Sequence, residues 1–156
     1  MTGESTVRAA APGEAAAISA LALRSKAHWG YSEEFMTACR DELTYSDSQI
    51  DSDNYEFYVC ETEARIAGFY ALGLLGPVDA EIGALFVEPE LIGRGIGRTL
   101  IEHAKARAAE LGIRRMIIQG DPNARSFYEA AGGESDGQRE SGSIPGRFLP
   151  IFRIDL

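Results

Sequence analysis

Between Leu91 and Leu100 the chain reads Leu-Ile-Gly-Arg-Gly-Ile-Gly-Arg-Thr-Leu, and the types and spacing of Gly93, Arg94, Gly95, Ile96, Gly97 and Arg98 suit one task, holding an anion. None of the residues from Leu91 to Arg94 carries a side-chain oxygen that could cap the helix that follows, so its first backbone N–H groups lack the usual partners. The three glycines remove Cβ atoms where a ligand would lie against the backbone. The helix macrodipole favours negative charge at this end, and Arg94 and Arg98 add formal positive charge. A phosphate or pyrophosphate is the natural occupant. Gly93, Gly95 and Gly97 give Gly-x-Gly-x-Gly, which is neither the dinucleotide-binding pattern nor a P-loop, since no Gly-Lys-Ser/Thr follows. Taken alone, the same glycines could make a tight strand-to-helix connection, so the surrounding elements decide.

Upstream, Leu85-Phe86-Val87 closes an apolar run that begins at Ala80 and reads as a strand to Glu88. Tyr55 to Glu61 and Arg65 to Leu75 precede it, parted by turn-like Glu63-Ala64 and followed by Gly76-Pro77, so the three form an antiparallel meander. Downstream, Ile96, Leu100, Ala104, Ala108 and Leu111 make one apolar helix face that Gly112 ends. Met116 to Ile118 is a short buried strand. Asp121-Pro122 starts another helix, whose Phe127, Ala130 and Ala131 face inward before Gly132-Gly133. Strands around Glu134 to Arg139 and Arg147 to Asp155 close the chain, joined by the segment Ser141 to Gly146. At the front, Thr6 to Ala10 is a strand, and helical spacing recurs at Ile18, Leu21, Ala22 and Ser25, then at Phe35, Met36, Cys39 and Leu43. The polar segment Ser46 to Asn54 reads as a mobile loop. The order β, α, α, β, β, β, α, β, α, β, β predicts an α+β fold of helices packed on a sheet.

A chain of 156 residues has the length of one domain, and residues 1–156 read as such, with enough chain for a real core. Cys39 and Cys60 have no metal or redox spacing and read as core thiols, and His28 and His103 are too isolated to suggest a metal site. With no secretory signal and no apolar run near the roughly 20 residues that span a bilayer, a cytoplasmic protein is expected. The net charge of −9 is local: ten acidic residues lie between Tyr31 and Glu63 against Arg40 alone, and the remaining charges balance. That segment would repel nucleic acid and anionic membranes and attract cations, so neither nucleic acid nor membrane is expected as a partner.

In this order and spacing the residues acquire a family likeness: the chain resembles the GNAT superfamily of N-acetyltransferases over nearly its full length. Leu85-Phe86-Val87 is similar to that family's fourth strand, Gly93 to Arg98 to its pyrophosphate loop, and Ala124-Arg125-Ser126-Phe127-Tyr128 with Gly132 to the helix after its fifth strand. The resemblance implies a mixed, mostly antiparallel central sheet flanked by helices on both faces, with strands four and five splayed apart. It also implies acetyl-coenzyme A in that gap, touching Leu85, Phe86, Val87, Gly93, Arg94, Gly95, Ile96, Gly97, Arg98 and Tyr128. Two positions depart from the family pattern. Ile92 stands where the loop usually begins with Gln or Arg, and Asp121 where an Asn often precedes the tyrosine, which leaves Asn123 as the nearby candidate for a cofactor contact.

Acyl transfer from a thioester to an amine by direct attack needs a neutral amine, a polarised carbonyl and a stabilised thiolate. By resemblance the backbone amides of Phe86 and Val87 polarise the carbonyl, Glu81 is the general base and Tyr128 donates to the sulfur. A lysine-like amine, with an ordinary pKa of about 10.4, would need such a base at neutral pH far more than an α-amine near 8. The family's acceptor sites are shaped by the first two helices and the last hairpin, which here supply Trp29, Tyr31 and Arg147. The aromatic pair could hold a cationic amine, and Arg147 could meet an acceptor carboxylate. The expected reaction is acetylation of a small-molecule or amino-acid-like amine. Protein or peptide acetylation and a non-catalytic acyl-coenzyme A sensor are the alternatives, and an edge strand near the C-terminus could pair across a homodimer.

Overall fold

A computed structural model of the protein describes residues 5–156. Its central sheet has seven strands in the order β1-β2-β3-β4-β5-β7-β6: β1 Thr6–Ala9, β2 Tyr55–Thr62, β3 Arg65–Leu74, β4 Asp79–Val87, β5 Arg115–Gln119, β6 Glu134–Glu140 and β7 Phe148–Asp155. Every neighbouring pair is antiparallel except β4 and β5, which run parallel because the helix between them crosses over one face. The helices are α1 Ala15–Ala27, α2 Glu33–Cys39, α3 Asp47–Ile50, α4 Ile96–Glu110 and α5 Arg125–Ala130.

The sheet buries both faces. On one, Ile96, Leu100, Ile101, Ala104 and Ala108 of α4 pack on Tyr70, Leu72, Ile82 and Ile118, with Tyr128 of α5 and Phe152 of β7 completing the cluster. On the other, Ile18, Leu21 and Ala22 of α1 and Cys39 of α2 pack on Phe57, Val59, Phe69 and Ala84. Phe69 and Tyr70, adjacent on β3, therefore face opposite cores and are each fully buried. Burying an aromatic of that size is worth about 2 to 3 kcal/mol, so a strand with period-two burial on both faces anchors the whole sandwich.

Two stretches differ from expectation. Ser46 to Asn54 is not a plain loop: Ser46 accepts from the Gln49 N–H, and the Gln49 side chain accepts from the Ser46 N–H, a capping box that starts the single turn of α3. Asp121-Pro122 opens a 3-10 turn, Pro122–Ala124, and α5 begins only at Arg125. Cys39 and Cys60 are both buried free thiols. The outer strand β6 is exposed along its length and carries a register shift between Ser135 and Gln138, features that blunt an edge against further pairing. Among the described residues no helix is long and apolar enough to cross a membrane.

Candidate functional site

Parallel pairing of β4 with β5 runs only from Asp79 opposite Arg115 to Ile82 opposite Ile118. Beyond that rung β4 continues to Val87 along β3, while Gln119 of β5 stays with β7, so the strands part. The parting begins where the β3–β4 register shifts, leaving Gly83 as an extra residue between Ile82 and Ala84. Ladder parity then settles which amides face the gap. The Glu88 N–H donates to the Ala67 carbonyl at 2.8 Å, and Phe86 lies opposite Phe69. Alternation turns the Phe86 amide toward β3 and those of Leu85 and Val87 toward the gap. The expected pair of Phe86 and Val87 is thus corrected to Leu85 and Val87; Phe86 lines the gap by its position alone.

At the end of this gap lies the turn into α4. Gly93 and Gly95 hold left-handed conformations, φ +87° and +84°, and a Cβ on either would meet open space, so glycine is required there by the backbone and the space is free for a ligand. Gly95 is the N-cap and offers no side-chain cap. Among the described residues no acceptor meets the amides of Ile96, Gly97 or Arg98. Those unpaired donors at a positive helix end, with Arg98 on the cleft wall, fit a pyrophosphate. The other turn residues sort differently. Gly97 is small because a Cβ would come within 2.9 Å of the Phe127 ring, a demand of α4–α5 packing. Ile96 sends its side chain into the core and offers only its amide, while Arg94 is exposed and does not line the cleft, which Ile92 does.

Tyr128 sits on α5 with its ring against Phe127 and Phe152. Gly120 makes room for it, since a Cβ there would stand 3.0 Å from the ring. No buried side-chain nitrogen or oxygen among the described residues lacks a partner, and the Tyr128 hydroxyl has none, so it meets the cleft. Burial, reinforced by the charge of Asp121, raises its pKa well above the usual phenol value and keeps it a donor. Glu81 also lines the cleft and accepts a 2.8 Å hydrogen bond from the Tyr55 hydroxyl. Tyr55 was not a candidate from sequence. It shares a rung with Glu81 through Gly73, and its ring crosses over that glycine, where a Cβ would stand 2.5 Å away. Gly73, a glycine inside the apolar run of β3, was the available signal.

The opposite end of the cleft is organised around Asp121. Its Oδ2 accepts from Lys26 Nζ of α1 at 2.5 Å and from the Tyr31 hydroxyl at 2.7 Å, and its Oδ1 from the Asn123 backbone at 2.9 Å. Arg147, from the β6–β7 loop, donates to the Tyr31 hydroxyl at 3.0 Å and approaches Asp121 at 3.6 Å. Burial works against charging Asp121, but the bonds from Lys26, Asn123 and Tyr31 prevail and hold its pKa down at about 2. Burial and the same carboxylate push Tyr31 up to about 12. Of the expected acceptor residues, Arg147 and Trp29 line the cleft; Trp29 is 44% exposed, an aromatic wall and no core anchor. Tyr31 stands behind the wall as a hydrogen-bonding hub. Asn123 lines the cleft, its side-chain NH2 already engaged by Tyr31 and Asp121, which leaves its carbonyl as the free group. Lys26 was missed because a lysine in a helix reads as a solvated charge. The whole cleft measures about 650 Å³, and no cluster of metal-ligating side chains occurs among the described residues.

Residues 20–132 match the family model described as Acetyltransferase (GNAT) family. A peptidyl-lysine N-acetyltransferase of Escherichia coli, YjaB, is 32% identical over 71 residues, 46% of each chain. The chain spans about half the length of the curated relatives it matches. Among solved structures, a GCN5-related N-acetyltransferase from Rhodopseudomonas palustris superposes with a TM-score of 0.81 at 22% identity, covering 100% of this chain and 98% of the other. The PaiA N-acetyltransferase from Thermoplasma acidophilum, in complex with coenzyme A, gives 0.77 at 20% identity, covering 98% and 99%. At such identities the likeness establishes the fold.

Proposed function

Because the chain belongs to the GNAT acetyltransferase family, which uses acetyl-coenzyme A, we propose that it acetylates the amine of a small-molecule or amino-acid-like acceptor. Bound acetyl-coenzyme A would supply an activated acyl thioester. The amides of Ile96, Gly97 and Arg98, with the Arg98 side chain, are the groups to hold its pyrophosphate, and the Leu85 and Val87 amides are donors for the chain that lies between the strands. Glu81, oriented by Tyr55, takes the proton of the acceptor amine, and Tyr128 donates a hydrogen bond to the leaving sulfur.

The observation that carries the small-acceptor reading is the junction at Asp121. It ties α1, the turn before α5 and the β6–β7 loop together at the acceptor end, which bounds the chamber. The similarity to a peptidyl-lysine acetyltransferase favours a second reading, with a protein lysine as acceptor. Incubation with acetyl-coenzyme A and panels of small amines, amino acids and lysine peptides, with free thiol monitored, separates the two. Thiol release above blank with a small amine or amino acid is expected. Release only with peptides selects the second reading, and tight cofactor binding with no release from any amine overturns both in favour of a sensor.

A further inference from the structure

We propose that Arg147 forms a carboxylate subsite, so that the acceptor is an amine bearing its own carboxylate; this rests on the acetyl-transfer reading above. The Arg147 side chain is 19% exposed and its guanidinium lies 4.7 Å from the Phe35 ring centroid and 5.3 Å from that of Tyr31, two rings stacked on each other at 4.0 Å. That stacking holds the planar fork in one orientation. One of its nitrogens, Nη2, serves Tyr31 and approaches Asp121; Nη1 and Nε have no partner among the described residues. A mostly buried cation is costly unless paired. Asp121 cannot pair it fully, because Lys26 holds the same oxygen more closely and is itself 13% exposed. Two cations thus share one carboxylate on the wall of an open cleft. Nη1 and Nε lie on opposite edges of the fork, each beside Nη2, so an incoming carboxylate can take one of them together with the Nη2 hydrogen that Tyr31 does not use, in a charge-assisted, two-point contact.

The rest of the chamber suits the other end of such a molecule. Glu81 and Glu42 line the same cleft, and Glu42 has no ion-pair partner among the described residues. The Glu42 carboxylate lies against Gly142, in the loop that carries Arg147. The groups facing the acceptor space are therefore Lys26 and Arg147 beside Asp121, then Glu42 and Glu81. This polarity matches a zwitterionic amino acid, with the ammonium toward the glutamates and the carboxylate toward Arg147. A polyamine would satisfy the glutamates and leave the fork unfilled.

The subsite is tested without turnover by calorimetry on coenzyme A-loaded protein, using the N-acetyl derivatives of a set of α-amino acids and of the matching amino-acid amides. Carboxylate members are expected to bind about tenfold tighter than their amides or better. Arg147→Gln should bring the pairs to within about twofold, and Arg147→Lys, which keeps charge and loses the fork, should fall between. Equal affinities within the wild-type pairs overturn the proposal without any variant. So does a gap that persists in a folded Arg147→Gln protein. A preserved gap with no thiol release from free amino acids supports the subsite and sinks the transfer reading, so the two failures are distinct.

Discussion

At the scale of single residues, Tyr128 is defined by what its hydroxyl lacks. The ring is enclosed by Phe127, Phe152 and the bare backbone of Gly120, yet the oxygen has no partner among the described residues and faces the cleft. Ordinary values of about 10 for a phenol and 8.5 for a thiol make complete proton transfer to a thiolate uphill by roughly 2 kcal/mol. Burial raises the Tyr128 value further, so the contribution proposed for it is a hydrogen bond to developing charge more than a delivered proton. Tyr128→Phe keeps the ring and removes only that bond. Turnover should fall about tenfold or more, while calorimetric affinity for acetyl-coenzyme A changes little. Undiminished turnover would remove Tyr128 from the reaction. Tyr55 donates a hydrogen bond to the Glu81 carboxylate from across Gly73, and in the proposed reaction it would act through that carboxylate.

At the scale of elements, the turn before α4 assigns unequal parts to its residues. Arg98 lines the cleft beside the free amides, whereas Arg94, four residues earlier, is exposed and does not line it. A cation close to a bound phosphate at a helix end is worth about 1 kcal/mol, so Arg98→Ala should weaken acetyl-coenzyme A binding about fivefold and Arg94→Ala by less than twofold. Equal effects in a titration would mean that the two arginines act only through the general field. The α4 stripe and the succession of strands along the chain were legible in the sequence because local spacing encodes them. The direction of the β4 amides was not, since it depends on a ladder parity that only pairing with β3 supplies. The missing Cβ of Gly97 reads from sequence as room for a ligand and is also a packing demand, because Phe127 lies 30 residues away in the chain and folds back onto it. The same reason hid Lys26: its partner Asp121 is separated from it by 95 residues.

At the scale of the whole molecule, Asp121 is the point where the two helical layers and the last hairpin meet. Its carboxylate joins Lys26 of α1, Tyr31 of the α1–α2 connection and Arg147 of the β6–β7 loop, at the end of the strand that borders the gap. Its folded-state pKa of about 2 lies below the ordinary value of 3.8 that it regains on unfolding. The stabilisation that this represents is fully present above about pH 4 and is lost as pH falls toward 2, with a size of about 2 kcal/mol. Glu14, Glu56 and Glu88 are also held low, by Arg8, Arg107 and Arg24, so the native protein has an acid limb from several sources. A difference measurement isolates one of them. Asp121→Asn should be less stable than the native protein by about 2 kcal/mol at pH 7, because it leaves two poorly solvated cations facing each other. In urea titrations repeated at falling pH, that gap should narrow below pH 4, since the native carboxylate loses its charge while the amide has none to lose. The other carboxylates titrate alike in both proteins and cancel. A gap that stays constant down to the lowest pH at which both proteins fold would mean that Asp121 acts through hydrogen-bond geometry alone and that its charge does not hold this end of the cleft together.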